Sequence, residues 1–223
     1  MIKQSILALG LAFASTATFA QSIVDYEVTV TNITPGQTFT PQLVLTHNSD
    51  FLLFQLGQPA SEQLEILAEG GDTAPLTEAT ANMSTEATTI GGLLSPGQTA
   101  STTVTGPSQG GFLTVAAMLI PTNDTFVALN RIRLPTSGGT MYLVPAYDAG
   151  TEVNSQSCQH IPGPRCGGEG YVEGPADGDE GFVHIGNGFH ELGTEDAEGF
   201  EILGPQTYDW RNSVARITVR RMN

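Results

Sequence analysis

Two segments near the ends of the chain alternate between apolar and polar residues. In the segment 23–31 the even positions are apolar, and in the segment 214–221 the odd positions from Ala215 to Val219 are apolar. This period of two predicts strands that bury one face. If the two strands pair, their exposed charges would meet across the ladder. The facing residues would be Asp25 and Glu27 on the first strand and Arg216 and Arg220 on the last.

A continuous apolar run at 112–120 predicts a central strand that is buried on both faces. The polar segment 99–105 predicts a strand near a sheet edge. Further strands are predicted at 43–45, 126–134, 141–144 and 182–185. The 26 glycines and 13 prolines favour turns between short strands, so the chain is predicted to be mainly β.

Two short helices are predicted between the early strands. Ser61 is expected to cap a helix over 62–69, with its leucines on the inner face and Gly70 at its end. A second helix is predicted within 73–83. Both are expected to be connections that pack on a sheet.

The first twenty residues have the three parts of a cleavable secretory signal. Lys3 gives a positive start, 6–17 is apolar, and Ala20 is the small residue at the cleavage point. These features favour a signal peptide at 1–20, followed by one domain at 21–223. An N-terminal core helix is the alternative interpretation. The mature chain is expected to be secreted, periplasmic or on the cell surface.

The charge of the chain is strongly negative. Eight Lys and Arg stand against 23 Asp and Glu, which gives a net charge of −15, and the only Lys is Lys3. Such a surface repels nucleic acid and anionic lipid but suits divalent cations. We therefore expect no nucleic-acid partner and no membrane insertion. A monomer is expected.

Cys158 and Cys166 lie close together in the sequence, with two prolines and a glycine between them. In an exported protein such a pair usually forms a disulfide. The alternative is a metal site that includes His160. It lacks a second Cys/His pair at ligand spacing.

Three acidic residues follow two predicted strands. The strands at 112–120 and 141–144 each run into a proline, followed three residues later by Asp124 and Asp148, and Glu152 comes four residues after that. If the strands are close in one sheet, the carboxylates converge at one end, and oxygen ligands of this kind suit calcium. Three solvated loop residues are the alternative on spacing alone.

Two other groups contain residue types that can carry chemistry. The acidic segment 177–181 lacks the spacing of an EF-hand loop, and a solvated loop is favoured. His184, His190 and Glu191 offer the residue types of a hydrolase. No motif supplies a nucleophile, and structural or surface histidines are favoured.

Three segments resemble the spondin N-terminal domain family. MLIPTNDTF at 118–126 resembles its MIVPSPDWF stretch, and VPAYDAGTE at 144–152 resembles its PWDAGTD stretch. The ending VARITVRR at 214–221 is similar to its terminal strand VARVVIERI. The segments occur in the family's order across most of the mature chain.

This resemblance implies a C2-like antiparallel β-sandwich with a calcium ion at the apical loops. It places the acidic ligands at Asp124, Asp148 and Glu152, although the third ligand is Asp in animal members, and Thr125 replaces an aromatic residue. The implied function is a non-enzymatic interaction or adhesion module that binds an extracellular protein or glycan. A secreted hydrolase and a domain with purely structural calcium are the alternatives.

Overall fold

Antiparallel strands account for most of the regular structure in the computed structural model, which describes residues 22–168, 171 and 178–222. The predicted signal peptide at 1–20 lies outside the described residues. The strands are β1 Ile23–Asn32, β2 Thr38–Phe39, β3 Gln42–His47, β4 Ser84–Ile90, β5 Thr99–Pro107, β6 Phe112–Ile120, β7 Thr125–Arg133, β8 Gly139–Asp148, β9 His184–Ile185 and β10 Ser213–Arg221. The helices are α1 Glu62–Gly70, α2 Ala74–Ala79 and α3 Pro205–Tyr208.

The strands form one path in the order β4-β3-β6-β7-β8-β10-β1-β5. Strand β8 joins its two halves, because residues up to Pro145 pair with β10 while Ala146 to Asp148 pair with β7. The prediction of a mainly antiparallel β fold with few short helices is confirmed. The sheet curls into a nearly closed barrel, and the C2-like sandwich stays the finer prediction.

A seam between the two terminal strands, β4 and β5, brings the barrel close to closure. Thr105 of β5 donates its backbone N–H to Glu86 Oε2 of β4 at 2.7 Å. Its carbonyl accepts the hydroxyl of Thr46, on β3, at 2.6 Å. Side chains therefore satisfy backbone groups where the two edges meet. The prediction that 99–105 lies near an edge is confirmed.

The barrel interior is lined by the alternating faces predicted from the sequence. Tyr26, Val28 and Val30 of β1 are buried, and so are Ala215 and Ile217 of β10. They belong to one apolar cluster with the inward residues of β5, β6 and β8. Burial of these alternate positions fixes the register, since a slip by one residue would turn every side chain over.

Strand β6 is buried on both faces, as its continuous apolar run predicts. Val115, Ala117 and Leu119 face the barrel interior. Ala116 belongs to a second apolar cluster that includes the leucines of α1. The central sheet is thus covered on its outer side by helices.

Helix α1 begins as predicted, because the Ser61 hydroxyl accepts the backbone N–H of Leu64. Gly70 is its last residue, and Gly71 at φ 69° forms the cap. The second predicted helix is shorter than expected. It ends at Ala79, residues 80–83 form a turn, and β4 begins at Ser84.

The predicted charge pairing between β1 and β10 is half correct. Glu27 lies opposite Arg220, and Oε2 is 3.1 Å from Nη2. Arg216 lies opposite Thr31 and does not meet Asp25. In an antiparallel ladder, moving four residues back along one strand moves four residues forward along the other, so Arg216 falls too far from Asp25.

Cys158 and Cys166 form a disulfide with a Cα–Cα distance of 5.0 Å, as predicted. Both cysteines pack against the main apolar cluster, which also contains the buried Ile161 from the loop between them. Cys158 donates its backbone N–H to the carbonyl of Glu201. The bridge therefore holds a local loop on the barrel.

Burial of His47 predicts a dependence of stability on pH. Its Nδ1 lies 2.7 Å from the Asn48 carbonyl and its Nε2 lies 3.0 Å from Thr114 Oγ1. Burial lowers the pKa of the imidazole below 6.5, and nearby Arg131 lowers it further, while the bond to Asn48 opposes this shift. The unfolded chain thus takes up this proton before the folded protein does.

The free energy of unfolding is therefore expected to fall as the pH drops below about 6.5 and to stop falling, for this group, below the folded pKa. Denaturant unfolding of the wild type and of His47→Gln at a series of pH values checks this. The stability difference between them should narrow with acidification. A stability difference between the two proteins that stays constant with pH would contradict the lowered pKa of His47.

Candidate functional site

The ends of two neighbouring strands bring Asp124 and Asp148 to the same edge of the sheet. Asp124 precedes β7 in the turn after β6, and Asp148 is the last residue of β8, opposite Thr125 of β7. The Asp124 carbonyl accepts the backbone N–H of Ala149 at 3.2 Å. The convergence expected from the sequence is therefore present.

The loop after β8 holds one oxygen of the Asp124 carboxylate. Oδ2 accepts the backbone N–H groups of Thr151 at 2.8 Å and Glu152 at 3.2 Å, and the Thr151 hydroxyl at 3.3 Å. The other oxygen, Oδ1, is buried and has no hydrogen-bond partner. Half of this carboxylate is thus oriented by the protein, and half is available to a ligand.

Asp148 and Glu152 complete a buried group of three carboxylates. Relative exposure is 0% for Asp124 and 1% for each of the other two. Asp148 Oδ1 accepts the backbone N–H of Gly150 at 2.9 Å. Glu152 Oε2 accepts the side-chain amide of Asn123 at 3.3 Å.

The electrostatics of this group favour a cation. Burial raises the pKa of Asp124 well above its ordinary value, and the nearby charges of Asp148 and Glu152 raise it further against the backbone hydrogen bonds. Burial also raises the pKa of Asp148. Among the described residues, no Arg or Lys bonds to Asp124 or Asp148. A bound cation would offset the cost of burying these charges together.

A second group shares Asp148. Ligand atoms of Asp148, Glu180 and His184 all lie within 4.8 Å of one another. His184 is on β9, directly opposite Asp148 in the ladder, and its Nε2 is 3.3 Å from Asp148 Oδ1. The same nitrogen is 3.8 Å from Glu180 Oε2.

The second group is not predicted from the sequence. The pattern favours a solvated loop for 177–181, of which Asp177 lies outside the described residues, and a structural or surface role for His184. The available signal was the short strand predicted at 182–185. Pairing that strand with the end of β8 would have placed His184 beside Asp148.

His190 and Glu191 do not join either carboxylate group. His190 is exposed, and its backbone N–H donates to Gln156 Oε1 at 2.7 Å. Glu191 accepts the side-chain amide of Gln206 at 2.5 Å. Of the three residues considered for a hydrolase, only His184 therefore lies at the apex, the end of the barrel that carries Asp124 and Asp148. His190 and Glu191 lie elsewhere.

Comparison with known proteins identifies one family. The Spondin_N family model matches residues 25–159, a range that includes Asp124, Asp148 and Glu152 but ends before β9 and β10. A search of curated proteins found no significant match. Glu180 and His184 thus come from a part of the chain that the family model does not cover.

Gly150 connects the two groups and gives a direct test of this geometry. Its φ is 66°, and a Cβ there would lie 2.3 Å from the Phe182 carbonyl oxygen. Its own carbonyl accepts the backbone N–H of Gly181 at 2.9 Å. Gly150→Ala should therefore lower the free energy of unfolding by about 2 kcal/mol or more, because backbone strain and a clash add together.

Gly138→Ala is the matched control, since Gly138 has φ 61° and no atom lies within 4 Å of the position that an added methyl group would take. It should show the cost of the left-handed conformation alone, about 1 kcal/mol. Denaturant unfolding measures both. Equal losses would show that Phe182 does not approach Gly150 this closely.

Proposed function

We propose, from the premise that the chain belongs to the Spondin_N family, that it is an exported calcium-binding interaction module of a matrix or cell surface. Spondin N domains are extracellular adhesion-type modules and are generally non-catalytic. The family and the disulfide both suggest an extracellular setting. The two-layer, C2-like description of the barrel is part of this proposal.

The observation that carries the proposal is the buried carboxylate group. Calcium takes about 6–8 oxygen ligands. Asp124, Asp148 and Glu152 offer carboxylate oxygens, and Asp124 Oδ1 is a buried acceptor without a partner. These residues supply the kind of oxygen donor that the ion uses. Extracellular sites of this kind have Kd values of about 10⁻⁴–10⁻³ M and fill where calcium is plentiful.

The contribution of the chain is to hold the ligands in place. Thr151 and Glu152 donate backbone N–H groups to Asp124, so the loop after β8 is tied to the turn before β7. Asn154 donates to Asp148 Oδ2 at 2.9 Å. A cation held by both segments would make this apex rigid, and a rigid apex loses less entropy when it binds a partner.

The proposed partner is an extracellular protein or glycan, and the acidic surface disfavours nucleic acid. None of the helices in the described residues has the length and apolar character needed to cross a bilayer. Calcium that only stabilises the fold is the competing proposal, and the partner experiment below separates the two.

Calcium is expected to stabilise the folded protein, because it binds the folded state alone. At about one hundred times Kd the gain should be about 2.7 kcal/mol. Thermal or denaturant unfolding with calcium and with chelator measures it. Asp124→Asn should abolish this gain in stability. In chelator it should unfold at a higher temperature or denaturant concentration than the wild type, because it removes one of the mutually repelling charges.

Asp25→Asn is the control, because Asp25 is an exposed acidic residue of β1. It should keep the full calcium response. A wild-type unfolding midpoint that calcium does not move, together with Asp124→Asn that is no more stable in chelator, would rule out the site.

Partner binding is expected to depend on the same ion. Binding of the mature protein to arrays of glycans and matrix proteins should be reduced about tenfold or more by chelator and by Asp124→Asn, and unchanged by Asp25→Asn. Binding that is equally strong in all four samples would assign calcium to stability alone.

A further inference from the structure

The tautomer of the neutral His184 ring follows from its hydrogen bond. Nδ1 lies 2.9 Å from the backbone carbonyl of Ile185. A carbonyl oxygen only accepts, so Nδ1 carries the hydrogen. In the neutral ring the lone pair is then on Nε2. A histidine that donates one N–H to a backbone carbonyl has the arrangement of a metal ligand with its second ring nitrogen free to coordinate.

The lone pair of Nε2 faces two carboxylates. Asp148 Oδ1 is 3.3 Å away and Glu180 Oε2 is 3.8 Å away. This nitrogen is buried and makes no hydrogen bond. An acceptor that faces two acceptors is unfavourable unless a positive charge lies among them. Either a proton on the ring or a metal ion supplies that charge.

Asn154 orients both carboxylates toward the histidine. Its side-chain Nδ2 donates to Asp148 Oδ2 at 2.9 Å and to Glu180 Oε1 at 3.4 Å. The oxygens that it does not contact are those nearest His184. This is the way residues outside the ligand set fix the ligands of metal sites, and removing them weakens binding about 10–100-fold.

The segment that carries His184 is anchored to the barrel. Val183 is fully buried in the cluster beneath α1. Its N–H donates to the Gln58 carbonyl at 2.9 Å, and its carbonyl accepts from Gly57 at 2.8 Å. Gly181 is bonded to Gly150. The ligand set is therefore held in place before any ion binds.

The ligand types select the class of metal. Calcium takes oxygen ligands, whereas one imidazole nitrogen with two carboxylates suits zinc and similar transition-metal ions. Side-chain exposure is 2% for Asp148, 17% for His184 and 32% for Glu180, so one side of the group is open to an entering ion. Three protein ligands leave a further coordination position there.

We propose that Asp148, Glu180 and His184 form a second metal site that binds zinc or a similar divalent transition-metal ion beside the calcium site. The two sites share Asp148 and differ in every other ligand. The second site uses residues beyond the family match, and it does not depend on calcium binding.

Zinc titration of the mature, calcium-loaded protein by calorimetry tests the proposal. The wild type should bind one zinc ion per chain, and His184→Gln should weaken this about tenfold or more. Glu180→Gln, at a more exposed position, is a second variant that is expected to fold and to bind less tightly. His160→Gln is the matched control at another partly buried histidine and should bind like the wild type.

Cobalt provides a spectroscopic readout of the same ligands. Visible absorption of the cobalt-loaded wild type should be lost in His184→Gln and kept in His160→Gln. Asp124→Asn should lose calcium binding and keep zinc, which separates failure of this proposal from failure of the calcium proposal. Equal zinc affinity in the wild type and His184→Gln, or full displacement of zinc by calcium, would overturn it.

Discussion

The change of partner within β8 is the constraint on which the rest of the structure depends. The strand pairs with β10 as far as Pro145 and with β7 from Ala146, so a single strand belongs to both halves of the barrel. Its last residue is Asp148, which is therefore placed by pairing to β7 beside the turn that carries Asp124. The same chain segment that closes the fold thus builds the apex.

The apex combines buried charges that would repel one another in the absence of a ligand. The protein supplies backbone N–H groups and the Asn154 amide to part of this charge, and a protonated or metal-bound imidazole would supply more. Such partial compensation is typical of binding sites, where burial shifts the pKa values of ionisable groups. The rest of the folded structure then offsets the free-energy cost of burying these charges. In this chain the compensation comes partly from the family region and partly from the segment after it.

Strands can be predicted from the sequence where burial imposes a pattern of apolar residues. The period of two in β1 and β10 and the apolar run of β6 record which faces are buried, and each predicts its strand. Strand β4 was missed because it is polar and lies at the end of the strand order, where no alternation is required.

The site residues also differ in whether a sequence pattern predicts their position. Asp124 and Asp148 follow strands, so their convergence could be predicted from neighbouring strand ends. His184 and Glu180 reach Asp148 through β9, which has only two residues and is too short to carry a periodic signal. Their position depends on Val183 filling a cluster and on the absence of a side chain at Gly150, which are properties of the packed fold.

The seam between β4 and β5 has a consequence for behaviour in solution. A sheet edge with open N–H and C=O groups can recruit the strand of another molecule and start aggregation. Here Glu86 and Thr46 occupy backbone groups of Thr105 where the edges meet, and the carboxylate adds a charge that an incoming strand would have to desolvate. Edges whose backbone groups are occupied in this way help the folded protein to remain dispersed in solution.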